Sequence, residues 1–265
     1  MSDTAVMDAG LSADLARCYD LDLLDDPGDL ALYEALAART GGPILELAAG
    51  SGRLAIPLAV AGYRVVAVDN DSAMLARAAA AWSRARGRRR TGSLDLVEAD
   101  LTSVRLDERF ALAFLALNSL LLLADAPAQA AALRTLAAHL APGGLAVIDV
   151  FLPDADDLAL YDGRILLEWQ REDPQTGEIV TKLASARHDS ATAIVSFTQM
   201  FDSTSAAGGP LRRVSRTDRM RLLGASELCR LAEDAGLVVE QLAGDHQMTP
   251  FGPGAERVVV VARLV

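Results

Sequence analysis

The sequence predicts an α/β fold: a mostly parallel β-sheet with helices on both faces, interrupted by an antiparallel β-meander after the fifth strand. Three observations predict it. Between residues 44 and 151, short runs rich in β-branched and apolar residues alternate with segments of helical spacing. The first four of these runs carry or end on a polar residue, in turn Glu46, Asp69, Asp100 and Asn118. After Phe151 the alternation stops, and four β-like runs follow, separated only by turn residues.

Residues 11 to 39 read as helix, with Leu11, Leu15, Leu30, Leu32, Tyr33 and Leu36 apolar among charges, broken by Asp-Asp-Pro-Gly-Asp at 25–29. A short strand spans Ile44–Ala48, and a helix from Arg53 to Ala61 is ended by Gly62. The run Arg-Val-Val-Ala-Val-Asp reads as a strand ending at Asp69. The helix Ser72–Arg86 follows, with Ser72 as its cap. The next strand ends at Asp100, and Phe110–Asn118 is the fourth. The helix Pro127–Leu140 stops at Ala-Pro-Gly-Gly, and Leu145–Phe151 is the fifth strand. Four meander strands come next, over 165–173, 178–189, 191–202 and 211–223. A helix capped by Ser226 and stopped by Gly236 precedes two last strands, so the sheet has seven. These boundaries divide the chain into an N-terminal helical lid (1–40), a core (41–151 and 224–265) and a β insertion (152–223).

Half of the residues are hydrophobic, enough for a sizeable core, and the net charge is −11. That charge opposes loose binding to nucleic acid or to an anionic membrane surface. The exception is Ser83–Arg90, where five arginines crowd together. They read as a solvated helix end, because no aromatic residues follow to stack on bases. No apolar run is long enough to span a bilayer, and the acidic N-terminus is unlike a secretory signal. Cys18 and Cys229 show no metal-ligand spacing. The expectation is a reduced, cytoplasmic protein without a metal, a membrane or a nucleic-acid partner.

The chemistry concentrates in Glu46-Leu-Ala-Ala-Gly-Ser-Gly52. Ligands of open α/β sheets bind beyond the carboxyl ends of the strands. Gly50 and Gly52 lie there, followed by a helix whose first N–H groups are free. The dinucleotide pattern Gly-x-Gly-x-x-Gly is not met, because Ala55 stands where its third glycine belongs. The acid at Glu46 suits an ammonium group instead. Asp69, with Asn70 behind it, suits the hydroxyls of a ribose. Asp100 and Leu101 suit the amino group and face of an adenine. Ammonium, ribose and adenine without pyrophosphate describe S-adenosylmethionine.

With these residues the sequence resembles the class I S-adenosylmethionine-dependent methyltransferases, whose fold is a Rossmann-like seven-stranded sheet. Their acidic-x-Gly-x-Gly-x-Gly motif is matched by Glu46, Ala48, Gly50 and Gly52, with alanine in place of the first glycine. A methyl group at Ala48 is accommodated if its φ is negative. The resemblance implies donor contacts from Glu46, Ala48, Gly50, Gly52, Asp69, Asn70, Asp100, Leu101 and Asn118. Members similar to the glycine and sugar N-methyltransferases carry a Tyr-Asp pair near the N-terminus, matched by Tyr19-Asp20, which adds Tyr19 to the implied donor contacts, and an insertion that roofs the acceptor pocket. The resemblance therefore implies methyl transfer to nitrogen or oxygen of a small-molecule acceptor, and a homodimer is the expected assembly.

Catalytic residues are not evident in the sequence. His246, in the loop between the last two strands, is the best base candidate; His139 reads as a helix cap and His188 as a hairpin residue. Asp149, near the end of the fifth strand, can face an acceptor, and Trp169, Phe197 and Phe201 read as sheet core. Two alternatives remain open from the residues alone: a nicotinamide-dependent oxidoreductase on a similar sheet, and a non-catalytic S-adenosylmethionine-binding protein.

Overall fold

The computed structural model describes residues 3–85 and 92–265. The arginine-rich run lies largely outside the described residues. The chain divides into two compact units, one of residues 1–26 and 154–221, the other of 27–153 and 222–265.

The second unit contains the seven-stranded sheet. Its elements are α2 (Leu30–Thr40), β1 (Ile44–Leu47), α3 (Ala55–Val60), β2 (Arg64–Asp69), α4 (Ser72–Arg84), β3 (Ser93–Glu98), β4 (Phe110–Leu115), α5 (Ala126–Ala138), β5 (Leu140–Phe151), α7 (Ala225–Asp234), β10 (Leu237–Ala243) and β11 (Arg257–Leu264). The strand order is β10-β11-β5-β4-β1-β2-β3. Strands β1 to β5 pair in parallel, whereas β11 runs antiparallel to both β5 and β10. Both faces are buried, which explains the near-continuous apolar strands. Ile44, Val65, Leu112, Phe114, Val147 and Val259 pack with Leu36 of α2 and Leu58 of α3. Their alternate neighbours, such as Leu45, Val66, Ala113 and Ile148, are equally buried on the other face.

Several element ends differ from the sequence expectation. The cap of α4 is Asp71, whose carboxylate accepts from Ala73 and Met74 N–H, so Ser72 is already helical. The helix α7 starts after Gly224 rather than at Ser226. β3 ends at Glu98, placing Asp100 in the following turn. Ala-Pro-Gly-Gly falls inside β5 rather than ending a helix, because Phe110 of β4 already pairs with Leu140 before a register shift.

The first unit joins α1 (Asp3–Asp22) and α6 (Ala155–Leu160) to a sheet of β6 (Leu166–Glu172), β7 (Glu178–Asp189), β8 (Ile194–Ser205) and β9 (Arg212–Arg221), in that order and all antiparallel. Not expected from the sequence is α6, a six-residue helix held by an Asp154–Asp157 capping box. Cys18 and Leu21 of α1 pack on Val180 and Phe201. Asp22 fixes the end of α1 by accepting from Trp169 Nε1 at 2.8 Å and from Lys182 Nζ at 2.6 Å. Trp169 and Phe201 are thus sheet core, as expected.

Candidate donor site and buried charge network

The site forms where the chain leaves β1. Leu47 ends the strand, and Ala48, Gly50 and Gly52 all take positive φ, at 58°, 55° and 84°. The condition of a negative φ at Ala48 is not met: this alanine occupies the left-handed region that favours glycine. At Gly52 a side chain is excluded on two counts, since an added Cβ would also stand 2.9 Å from Ile56 Cδ1. The tight loop turns Gly50 N–H onto Asp69 Oδ2 at 2.7 Å. Asp69 Oδ1 accepts from Asp71 N–H at 2.9 Å. Each oxygen keeps a lone pair, so Asp69 is oriented by two backbone donors and can still accept from two hydroxyls.

Beside it a narrow crevice is lined by Ala48, Asp69, Asn70, Ala99 and Leu101. The structure thus brings together four of the expected donor residues from three segments. Asp100 is exposed next to Leu101, and its Oδ1 accepts from the hydroxyl and the N–H of Thr102. These bonds hold its carboxyl below the usual range. Asn118 is not part of the crevice. It sits in the left-handed region after β4, and its Oδ1 accepts from Phe151 N–H at 2.6 Å, tying the ends of β4 and β5. Tyr19 lies on α1, in the first unit.

Glu46 points to the α2–α3 face of the sheet and is 3% exposed. Burial pushes its carboxyl up to about 8, against the opposing pull of Arg53 and a hydrogen bond from Ala55 N–H. Its Oε2 has no hydrogen-bond partner. A buried carboxyl oxygen left unmatched beside a glycine loop fits an ammonium group. This is the observation by which the residues present suit the amino-acid end of S-adenosylmethionine.

Next to Glu46 is a network that spacing could not reveal. Asp29, fully buried, accepts from Arg53 Nη1 at 2.5 Å and Nη2 at 2.7 Å. Asp149, also fully buried, accepts from Arg257 Nη1 at 2.6 Å and lies 3.0 Å from His246 Nε2. Asp29, Asp149 and His246 offer ligand atoms within 4.8 Å of one another. That spacing admits a cation, but a guanidinium already holds each carboxylate, so the cluster is balanced by Arg53 and Arg257. Tyr33, fully buried against Phe114, has an unpartnered hydroxyl that burial and the nearby Asp149 carboxylate keep protonated. Asp29, Tyr33, Arg53 and Arg257 escaped the sequence reading. The available signal was Asp149, because a carboxylate inside an apolar strand requires a charged partner.

The arrangement has a direction. Asp69 and Asp100 stand on the β2–β3 side of β1, and His246 and Asp149 on the β4–β5 side. A parallel sheet with an acid in β1, a glycine turn after it and an acid at the end of β2 resembles the donor-binding core of the class I S-adenosylmethionine-dependent methyltransferases. Residues 44–144 match the family described as a methyltransferase domain. This match supports a methyltransferase core over a nicotinamide-dependent one.

The chain is 30% identical over 167 residues to a cypemycin N-terminal methyltransferase from a Streptomyces species. That match covers 62% of this chain and 64% of the relative, less than two thirds of its length. Two solved structures share the fold throughout. The CcbJ methyltransferase from Streptomyces caelestis superposes with a TM-score of 0.75 at 25% identity, covering 90% of this chain and 96% of the other. An S-adenosylmethionine-dependent methyltransferase from Clostridium acetobutylicum gives a TM-score of 0.77 at 17% identity, covering 95% and 98%.

Proposed function

We propose that this chain transfers a methyl group from S-adenosylmethionine to an amine nitrogen of a small-molecule acceptor. The observation that carries the reading is the orphaned Glu46 oxygen beside the glycine loop and the preoriented Asp69. Nitrogen is favoured over oxygen by the relative whose name specifies an N-terminal methyltransferase. In this reading Glu46 meets the donor's ammonium, Asp69 and Asn70 its ribose, and Asp100 and Leu101 its adenine. When bound, the donor supplies a sulfonium methyl carbon, whose bond to sulfur breaks as the bond to nitrogen forms.

An amine is protonated near neutral pH and must lose that proton before it attacks. His246 is the group we assign to accept it. With Nε2–H donated to Asp149, its Nδ1 lone pair is left free, and the carboxylate stabilises the imidazolium that forms. Arg257 orients Asp149 from the other side. Acceptor choice is assigned to the N-terminal segment, with Tyr19, and to residues 152–223, the core being 41–151 and 224–265. This division is supported by α1 and the meander forming one compact unit. The compact units cut the chain after residue 26, so α2 (Leu30–Thr40) groups with the core rather than with the lid. A cytoplasmic, homodimeric enzyme without a nucleic-acid partner completes the reading. It is consistent with the net charge of −11 and with no helix among the described residues being long and apolar enough to cross a membrane.

The test is calorimetric titration with S-adenosylmethionine, S-adenosylhomocysteine and NAD, followed by methyl-transfer assays on small amines and phenols. The adenosyl ligands are expected to bind at micromolar concentration, at least tenfold more weakly to Asp69→Ala. His246→Gln should keep donor binding but lose roughly 10²-fold or more in kcat near neutral pH. It should recover as rising pH deprotonates the amine in solution. Binding of NAD alone, or of nothing, sinks the methyltransferase reading; a pH-independent loss in His246→Gln removes only the base.

A further inference from the structure

We propose that a groove between α5 and the segment 102–109 is a second binding site, for a small organic phosphate, separate from the donor site. The segment Thr-Ser-Val-Arg-Leu-Asp-Glu-Arg carries Arg105 and Arg109, and α5 carries Arg134. The fold brings all three to the lining of one cavity of about 440 Å³. That volume lies within the range of small-molecule sites.

The walls are pinned to each other. Thr135 Oγ1 donates to Thr102 O at 2.9 Å, and Leu106 N–H donates to His139 Nε2 at 2.9 Å. The His139 ring is held from its other side by Thr135 O, at 2.7 Å from Nδ1, so it caps α5 and has no free nitrogen. The groove is therefore preformed, which lowers the ordering cost of binding.

The charge pattern names the ligand. In this acidic chain many arginines have carboxylate partners: Arg17, Arg53, Arg64, Arg164, Arg171, Arg257 and Arg263 each form an ion pair. Among the described residues, Arg105, Arg109 and Arg134 meet no carboxylate. The one bond of Arg109 is to the carbonyl of Glu108, at 3.3 Å. Three guanidiniums around one cavity repel each other, and an anion removes that repulsion. Their planar forks match phosphate oxygens in pairs. Val104, Leu106 and Ala131 give the groove an apolar side, suited to an organic body rather than to a bare ion. Among the described residues no Phe, Tyr or Trp lines it, the His139 ring is held on both nitrogens, and the net charge of −11 opposes a polyanion, so neither base stacking nor a nucleic-acid backbone is favoured.

Its position keeps it apart from methyl transfer. Arg109 immediately precedes β4 and His139 immediately precedes β5, so this part of the groove lies at the amino ends of these strands. Glu46 and Asp69 lie at the carboxyl ends of β1 and β2.

The test uses pyrophosphate and phenyl phosphate as probes on the full chain, followed by calorimetry and by thermal shift at fixed ionic strength. One equivalent of phenyl phosphate should bind, at least fivefold more tightly than sulfate. Single Gln variants of Arg105, Arg109 and Arg134 should each weaken binding about fivefold, and the triple variant should abolish it. These side chains are exposed, and unchanged S-adenosylmethionine binding by the triple variant will show that it is folded. Asp69→Ala should bind phenyl phosphate as wild type does, which separates this site from the donor reading. Equal binding by wild type and triple variant, or a response that chloride reproduces, overturns the proposal. So does tighter binding of a short oligonucleotide than of phenyl phosphate.

Discussion

Ala48 holds a backbone conformation that costs an L-residue about 1–2 kcal/mol. Glycine there removes that strain but gives the unfolded chain more freedom, which returns roughly 0.5–1 kcal/mol. Ala48→Gly is therefore expected to stabilise the protein by up to about 1 kcal/mol, read as a higher urea midpoint at unchanged slope. Donor affinity should be kept, since the loop already has the shape that glycine prefers. A destabilised Ala48→Gly would show that the methyl group's packing outweighs the strain. At this scale the sequence was most legible for residues whose role depends on their neighbours in the chain. The glycine turn and Asp69 are of that kind, because strand, turn and helix start are consecutive. Asp29 was read as part of a helix-breaking turn, although its carboxylate is fully buried on Arg53. Nothing in Asp-Asp-Pro-Gly-Asp distinguishes the one aspartate that turns inward.

Among the elements, β5 and β11 show what a pairing adds. Antiparallel register sets Val259 opposite Asp149 and Arg257 opposite Phe151, two positions along, so the arginine reaches the buried carboxylate diagonally. The strands were legible from their β-branched runs, but their adjacency was not, because about a hundred residues separate them. The helix starts that moved were those where two residues could serve as cap: Asp71 beside Ser72, and Gly224 near Ser226. Arg257→Met should leave Asp149 buried with His246 as its remaining side-chain partner and cost roughly 3 kcal/mol. Asp149→Asn in the same chain should recover a large part of that loss. A double-mutant cycle in urea will measure the coupling, and strict additivity of the two substitutions would falsify the pairing.

For the molecule as a whole, Glu46 sets a pH dependence that runs against the usual sense for a protein rich in carboxylates. Asp100 and Glu108 have lowered values, held down by Thr102 and by Arg64, so their stabilisation is present at neutral pH and is lost in acid. Glu46 is raised from 4.5 to about 8 by burial, so the folded chain keeps a proton that the unfolded chain releases. Its contribution is complete below about pH 4.5 and is lost as pH rises through about 8. Between these limits Asp100 and Glu108 are largely ionised in both states, and Glu46 opposes stability increasingly, by roughly 5 kcal/mol at most. The donor-free protein should therefore melt at lower temperature near pH 8.5 than near pH 6, and Glu46→Gln should remove most of that difference. S-adenosylmethionine brings an ammonium group to the ionised carboxylate, so its stabilising shift in Tm should grow with pH in wild type and not in the variant. Identical pH slopes in wild type and Glu46→Gln would place the titrating group elsewhere and remove the orphaned oxygen as the anchor of the donor site.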